Sequence, residues 1–202
     1  MIFCEKCKHM KMVFEASFPP EEYIYGFGDS PIWIIGLNPK ARTGETKHTQ
    51  TLDELREEFQ IKAPKDSYFL DFKRVSPIVF DLLGKPGGVA HTDVVKCLAD
   101  NFPEFEATEN CSPFLKRQIV KHRPKLLICN GRASCEATKR ILPPPPDFDE
   151  SKNTSYTANV DGNDIVVVLS GFLARIDNYA KRRLGMEIES YLRTIGVGVH
   201  SA

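Results

Sequence analysis

Residues 31–37, PIWIIGL, run seven positions without a charged or hydroxyl side chain, and this run decides the fold. A strand with one face in water alternates apolar and polar residues. A run that does not alternate, rich in β-branched residues and followed at once by Asn38-Pro39, reads as a strand covered on both faces, as in a parallel sheet. Three further segments have strand length with consecutive apolar residues: 91–96 (HTDVVK), 125–130 (KLLICN) and 164–169 (DIVVVL). Segments with helical features separate them, at 52–60, 76–83, 112–123, 133–142 and 176–195. Buried strands alternating with helices imply βαβ crossovers. The expected fold is therefore α/β, a three-layer α/β/α sandwich around a central, mainly parallel four-stranded sheet, with residues 1–202 forming one domain.

Local signals sharpen the boundaries. Ser112 is placed as an N-cap with Pro113 at the first helical position, and that helix stops before Pro124. The run Pro143, Pro144, Pro145, Pro146 cannot continue a helix and opens a polar loop. Asp161-Gly162-Asn163 marks a turn, joining 156–160 and 164–169 as a hairpin.

The chain has 202 residues, 42% of them hydrophobic, enough for one sizeable core. No apolar run approaches the roughly 20 residues needed to span a bilayer, and Cys4, Glu5, Lys6 and Cys7 stand where a secretory leader would be apolar. A cytoplasmic protein without membrane contact, acting as a monomer, is the expectation. Lys plus Arg and Asp plus Glu number 27 each, for a formal net charge of zero. Binding to a polyanion must then rest on a local basic patch.

Six cysteines in a reducing compartment favour metal ligation or redox chemistry over disulfides. Cys4 and Cys7 form a C-x-x-C in a short charged segment, Cys97 closes the second strand, and Cys111 precedes the helix cap. Four thiolates converging this way can build a four-sulfur site. The spacing leaves an iron-sulfur cluster and Zn2+ both open, although a zinc ribbon would favour a second close pair. Cys129 and Cys135, on a strand and a helix, read as buried inert thiols.

With their neighbours, these cysteines carry a resemblance. Thr92-Asp93-Val94-Val95-Lys96-Cys97, Cys111-Ser112-Pro113-Phe114-Leu115 and 124–133 (PKLLICNGRA) resemble the iron-sulfur, family 4-like branch of the uracil-DNA glycosylase superfamily. In that branch a C-x-x-C, a cysteine closing a T-N-V-V-K-C strand and a cysteine opening the next helix bind a [4Fe-4S] cluster. The resemblance assigns Cys4, Cys7, Cys97 and Cys111 as its ligands. Gly36-Leu37-Asn38-Pro39 is similar to the G-x-N-P loop of other branches, where the asparagine orients the attacking water. Asn38 takes that catalytic role by carry-over, with Gly36, Leu37 and Pro39 beside the substrate. The implied activity is hydrolysis of the N-glycosidic bond of a damaged or deaminated base in DNA; the alternative is a non-catalytic nucleic-acid binder of the same superfamily.

Three departures shape the expected site. The iron-sulfur branch usually has G-E-x-P-G where this chain has Gly36-Leu37-Asn38-Pro39-Lys40. The second catalytic motif, normally built on His-Pro, falls at Leu169-Ser170-Gly171-Phe172; it contains none of the five histidines (9, 48, 91, 122, 200), which leaves Ser170 as its catalytic candidate and Gly171 beside the substrate. Asp93 stands where the family has the asparagine that reads uracil. An ionised carboxylate only accepts, so Asp93 is expected to favour a base with two adjacent donors, a ring N–H beside an exocyclic amine, over uracil.

For DNA contact the candidates are Lys40 and Arg42 in the first loop, then Phe172, Leu173, Arg175, Lys181 and Arg182 around the last helix start. The resemblance implies that this loop pushes an apolar wedge into the duplex, a part that falls to Phe172 or Leu173 unless they pack in the core; DNA, damaged or single-stranded, is the expected partner. Lys116, Arg117, Lys121, His122 and Arg123 add a basic run that equally suits a solvated helix face. Phe69, Phe72 and Phe80 are candidates to stack an extruded base.

Overall fold

The computed structural model describes residues 2–12, 14–39, 51–98, 103 and 105–197. An N-terminal ribbon pairs β1 (Ile2–Cys4) antiparallel with β2 (Phe14–Ala16). The main sheet contains β3 (Ile32–Gly36), β4 (Val89–Asp93), β5 (Leu126–Asn130), β6 (Ser155–Val160) and β7 (Asn163–Gly171), in spatial order β4-β3-β5-β7-β6. The pairs β3–β4, β3–β5 and β5–β7 are parallel. The sheet thus has five strands against the four expected: the turn at 161–163 forms, and β6 adds to β7 as an antiparallel edge.

All five residues of β3 and of β5 are buried, and their side chains divide by parity, as a pleat requires. Trp33, Ile35, Leu127, Cys129 and Val167 face one core, which Leu115, Ile119 and Ala137 close from α4 (Phe105–His122) and α5 (Arg132–Ile141). Ile32, Ile34, Leu126, Ile128 and Val168 face the other. There the helices are α1 (Leu52–Lys62), α2 (Ser67–Val75), α3 (Pro77–Asp81) and α6 (Asn178–Thr194), contributing Phe59, Phe72, Val79 and Ile188. These are the three α/β/α layers. Among the described residues no helix is long and apolar enough to cross a membrane.

Helix starts follow local chemistry. Thr51 and Glu54 form a reciprocal capping box at α1. Asp66 accepts from the Tyr68 backbone N–H at 2.8 Å to start α2, and Asp177 from Ala180 at 2.8 Å to start α6. The sequence expectations pass over α2, although Asp66 ahead of apolar residues 69, 72 and 75 is a legible cap and stripe.

Two boundaries are corrected. α4 begins at Phe105, so Ser112 is no cap and Pro113 lies inside the helix. Proline removes the N–H that would bond the Glu109 carbonyl, yet Ala107, Thr108 and Cys111 are buried along this turn. Burial of that face outweighs the local break. The second strand ends at Asp93 rather than at Lys96. Val94 and Val95 still donate to the carbonyls of Gly36 and Leu37 at 3.0 and 2.8 Å, but the backbone bends there and carries Cys97 off the sheet.

α6 crosses α2 at Gly185, where an added Cβ would collide with the Val75 carbonyl oxygen. Backbone cannot yield as a flexible side chain can. Gly185→Ala is expected to cost about 2 kcal/mol or more and to lower Tm by roughly 4–8 °C. Thermal unfolding followed by circular dichroism checks this; an unchanged Tm would show that the two helices are not held at this spacing.

Candidate active site

The chain runs from β3 to β4 on one side of the sheet, then returns to place β5 on the other side of β3. Where strand order reverses in this way, the loops after neighbouring strands part and leave a crevice at their carboxyl ends. A cavity of about 1000 Å³ lies there, lined by Leu37, Asn38 and Pro39 after β3, His91 and Asp93 of β4, Asn130 at the end of β5 and Gly131 to Ser134 after it. Tyr68 and Phe69 of α2 and, from the segment after β7, Phe172 and Arg175 complete its wall.

Gly36 is the floor. A Cβ there would collide with Asp93 Oδ1 and press to 2.9 Å on His91 Cε1 and 3.2 Å on the Tyr68 hydroxyl. The missing side chain lets the Asp93 carboxylate, 3% exposed, lie across the end of β3. Asp93 Oδ1 is 3.5 Å from His91 Nε2. His91 Nδ1 lies 3.1 Å from the Ile34 carbonyl oxygen, so Nδ1 carries hydrogen and donates. Burial first, and then the Asp93 charge, push the Tyr68 phenol up and keep it protonated. Its hydroxyl is enclosed, near the Asn130 amide but without a well-formed hydrogen bond.

Asn130 Oδ1 accepts from the Leu173 backbone N–H at 3.0 Å, tying the segment after β7 to the end of β5. Gly131 comes next at φ 110°, a conformation that favours glycine, and its N–H donates to the Gly171 carbonyl at 2.7 Å. α5 therefore starts with its first turn on the cavity wall, and helix N-termini favour anionic groups.

The expected site residues separate under this geometry. Asn38, Leu37, Pro39, Asp93, Phe172 and Arg175 share the cavity. Asn38 Nδ2 donates to the Pro39 carbonyl at 3.1 Å. Ser170 is 7% exposed, and its hydroxyl donates to the backbone carbonyls of Cys129 and Gly171 at 2.9 and 3.0 Å; it is not part of the cavity wall. Phe172 is 41% exposed beside Arg175, whereas Leu173 is 1% exposed in the core, so the wedge geometry belongs to Phe172. Lys181 is buried, with Nζ 2.8 Å from Asp71 Oδ1, and Arg182 is exposed. Lys40 and Arg42 lie outside the described residues.

Of the candidate rings, Phe69 lines the cavity, Phe72 is wholly buried and Phe80 packs against the core. In the basic run of α4, Arg117 and Lys121 pair with Glu21 and Glu22 away from the cavity. His91 and Tyr68 are not among the site residues expected from sequence. The register of β4 offers one signal: His91 and Asp93 are two apart and so share a face of the strand.

The four cysteines expected to ligate a metal gather under the N-terminal ribbon. Cys7, Cys97 and Cys111 are buried in one apolar cluster against which Cys4 packs. The neighbouring Cys97 and Cys111 thiols act on each other, which raises Cys97 and lowers Cys111, and Cys4 and Cys7 add to the rise of Cys97. Burial raises Cys7, and Asn110 Nδ2 donates to its sulfur at 3.4 Å. The thiols converge from three segments, and the apolar shell with an N–H to sulfur suits thiolate ligation. Among the described residues, however, no group of three or more His, Cys, Asp or Glu stands in an arrangement that could hold a metal ion. Beside them Lys96 is fully buried, its ammonium pushed down to about 7 by burial, with Nζ donating to Thr92 Oγ1 and Gln118 Oε1 at 2.7 Å each and to the Asp93 carbonyl.

A search of curated proteins returned no match. The family model described as the uracil DNA glycosylase superfamily matches residues 24–171. That span begins before β3 and ends with β7, and it contains the cavity's floor, Asp93 and the reversal of strand order. On this match over well more than half of its length, the chain belongs to the uracil DNA glycosylase superfamily.

Proposed function

We propose that the protein is a DNA N-glycosylase that takes an extruded damaged or deaminated base into the cavity at the ends of β3, β4 and β5. The observation that carries this reading is the meeting of Asn38, Asp93 and Phe172 in that one cavity. Base chemistry requires the nucleotide to leave the stack, and Phe172, exposed at the rim beside Arg175, suits a wedge that fills the gap left behind. Within the cavity Asp93 reads the base edge and Asn38 holds the attacking water; positioning of this kind removes much of the entropic barrier. Arg175 and the first turn of α5 offer positive potential to the flanking phosphates.

A [4Fe-4S] cluster on Cys4, Cys7, Cys97 and Cys111 would be structural, tying the β1–β2 ribbon to the segment after β4 and to α4. The convergence of the four thiols supports this reading. Zn2+ on the same four thiols is the alternative, and among the described residues no group stands in an arrangement that could hold a metal ion of either kind.

A second reading, a nucleic-acid binder without hydrolysis, is favoured by Ser170, whose hydroxyl is committed to backbone carbonyls where the second catalytic motif would act.

Base release from single- and double-stranded oligonucleotides carrying one lesion each tests the enzyme reading. Release from at least one lesion, reduced about a hundredfold or more in Asn38→Ala, is expected. Salt-sensitive binding to the whole panel without release would establish the second reading.

Protein purified without oxygen is expected to contain about four irons and four acid-labile sulfides per chain and to lose them in Cys97→Ala. Zinc in their place, or full colour in that variant, would refute the cluster.

A further inference from the structure

His91 is a titratable group in the cavity wall to which the proposed hydrolysis gives no part. Four aromatic rings surround it. Tyr25 and Phe59 lie stacked at centroid distances of 5.6 and 6.3 Å, Phe69 meets it edge-on at 5.2 Å, and Tyr68 is tilted at 5.6 Å. The Ile34 carbonyl oxygen can only accept, so the hydrogen on Nδ1 is assigned and Nε2 is left facing Asp93 Oδ1. A bare Nε2 against an ionised carboxylate would set lone pair to lone pair in a buried site. One proton between them removes that conflict, and aromatic faces over the ring favour the imidazolium.

Resting on the reading of this cavity as the base pocket, we propose that His91 is a positioning residue whose charge keeps Asp93 an ionised, acceptor-only group over Gly36. The pocket then selects a guanine-type edge over a uracil-type edge. Each carboxylate oxygen has two lone pairs, so Oδ1 can face His91 and still accept from a base. Among the common bases, guanine places a ring N–H beside an exocyclic amine, two adjacent donors. Adenine and cytosine set a donor beside an acceptor, and uracil sets its N–H between two carbonyls. The Tyr68 hydroxyl, enclosed and held protonated, is a donor suited to the oxo group of such a purine. The cavity, about 1000 Å³, admits a bicyclic base.

Removing the imidazolium charge should reverse this selectivity. A carboxyl among aromatic rings that has lost the cation 3.5 Å from its oxygen is driven toward its protonated form. It then presents one donor and one acceptor, the pattern of an amide, which matches the N–H and carbonyl of uracil. The groups facing the pair are Tyr25, ahead of β3, and Tyr68 of α2; Glu58 of α1 and Asp66 at the start of α2 stand on the cavity wall, and Lys96 donates to the Asp93 carbonyl. All of these remain in a His91→Phe variant, which also keeps a ring inside the aromatic cage.

The test is equilibrium binding of short single-stranded thymine tracts with one central guanine or uracil, measured for the wild type, His91→Phe and Asp93→Asn. The wild type is expected to prefer guanine about tenfold, the equivalent of one well-made discriminating contact. His91→Phe should lose or invert that preference. Asp93→Asn should prefer uracil. A wild type that binds uracil as well as guanine, or a folded His91→Phe that keeps the guanine preference, overturns the proposal. If Asp93→Asn switches preference while His91→Phe does not, the role of His91 fails and the base pocket stands. If no variant alters base preference, the pocket reading fails as well.

Discussion

The absence of a side chain at Gly36 is the constraint on which the rest of the site depends. β3 is covered on both faces, and at its last residue the chain needs room for a carboxylate from the neighbouring strand. With no Cβ in the way, Asp93 Oδ1, His91 Cε1 and the Tyr68 hydroxyl close over the same point from β4 and α2. A methyl group there would separate them. The reversal of strand order between β4 and β5 leaves the crevice, and Gly36 lets reactive groups occupy its floor.

The buried polar groups around this floor form a chain rather than a set of isolated contacts. Lys96 bonds Thr92, Gln118 and the Asp93 carbonyl, while Thr92 Oγ1 and Gln118 Nε2 donate to the Tyr23 carbonyl at 2.8 and 3.0 Å. The Tyr23 hydroxyl meets that of Tyr25, whose ring stacks on His91. Removing one member of such a network leaves its partners desolvated and unpaired, so its parts hold one another in position. Because Cys97 comes directly after Lys96, the thiol group under the ribbon and the carboxylate in the pocket are joined by a short rigid path.

Parity and covering explain why the layers were legible. Non-alternating Ile and Val runs of strand length suit strands covered on both faces, and the five strands include three so inferred, the other arm of the hairpin, and β4, which overlaps the inferred second strand only at His91 to Asp93. The helix start at Ser112 misled because capping is a local preference worth about 1 kcal/mol, whereas burying Ala107 and Cys111 in the cluster beneath the ribbon outweighs it. Leu173 and Lys181 misled differently. Their types suit a wedge and a phosphate contact, but one is sealed in the core and the other is paired with Asp71.

By itself the sequence determined the α/β layering, the loop of Gly36 to Pro39 at a strand end and the superfamily, since each depends on residues adjacent in the chain or repeated at a fixed period. What the tertiary structure alone decided is which side chains share the cavity. Tyr68 comes from a helix that the periodic reading passes over, Asn130 from the far side of β3, and His91 from a strand far in sequence from the motif that lacks a histidine. Convergence of this kind depends on which strands become neighbours and on where a missing Cβ leaves space. Both are properties of packing between segments distant in the chain, and no local period encodes them.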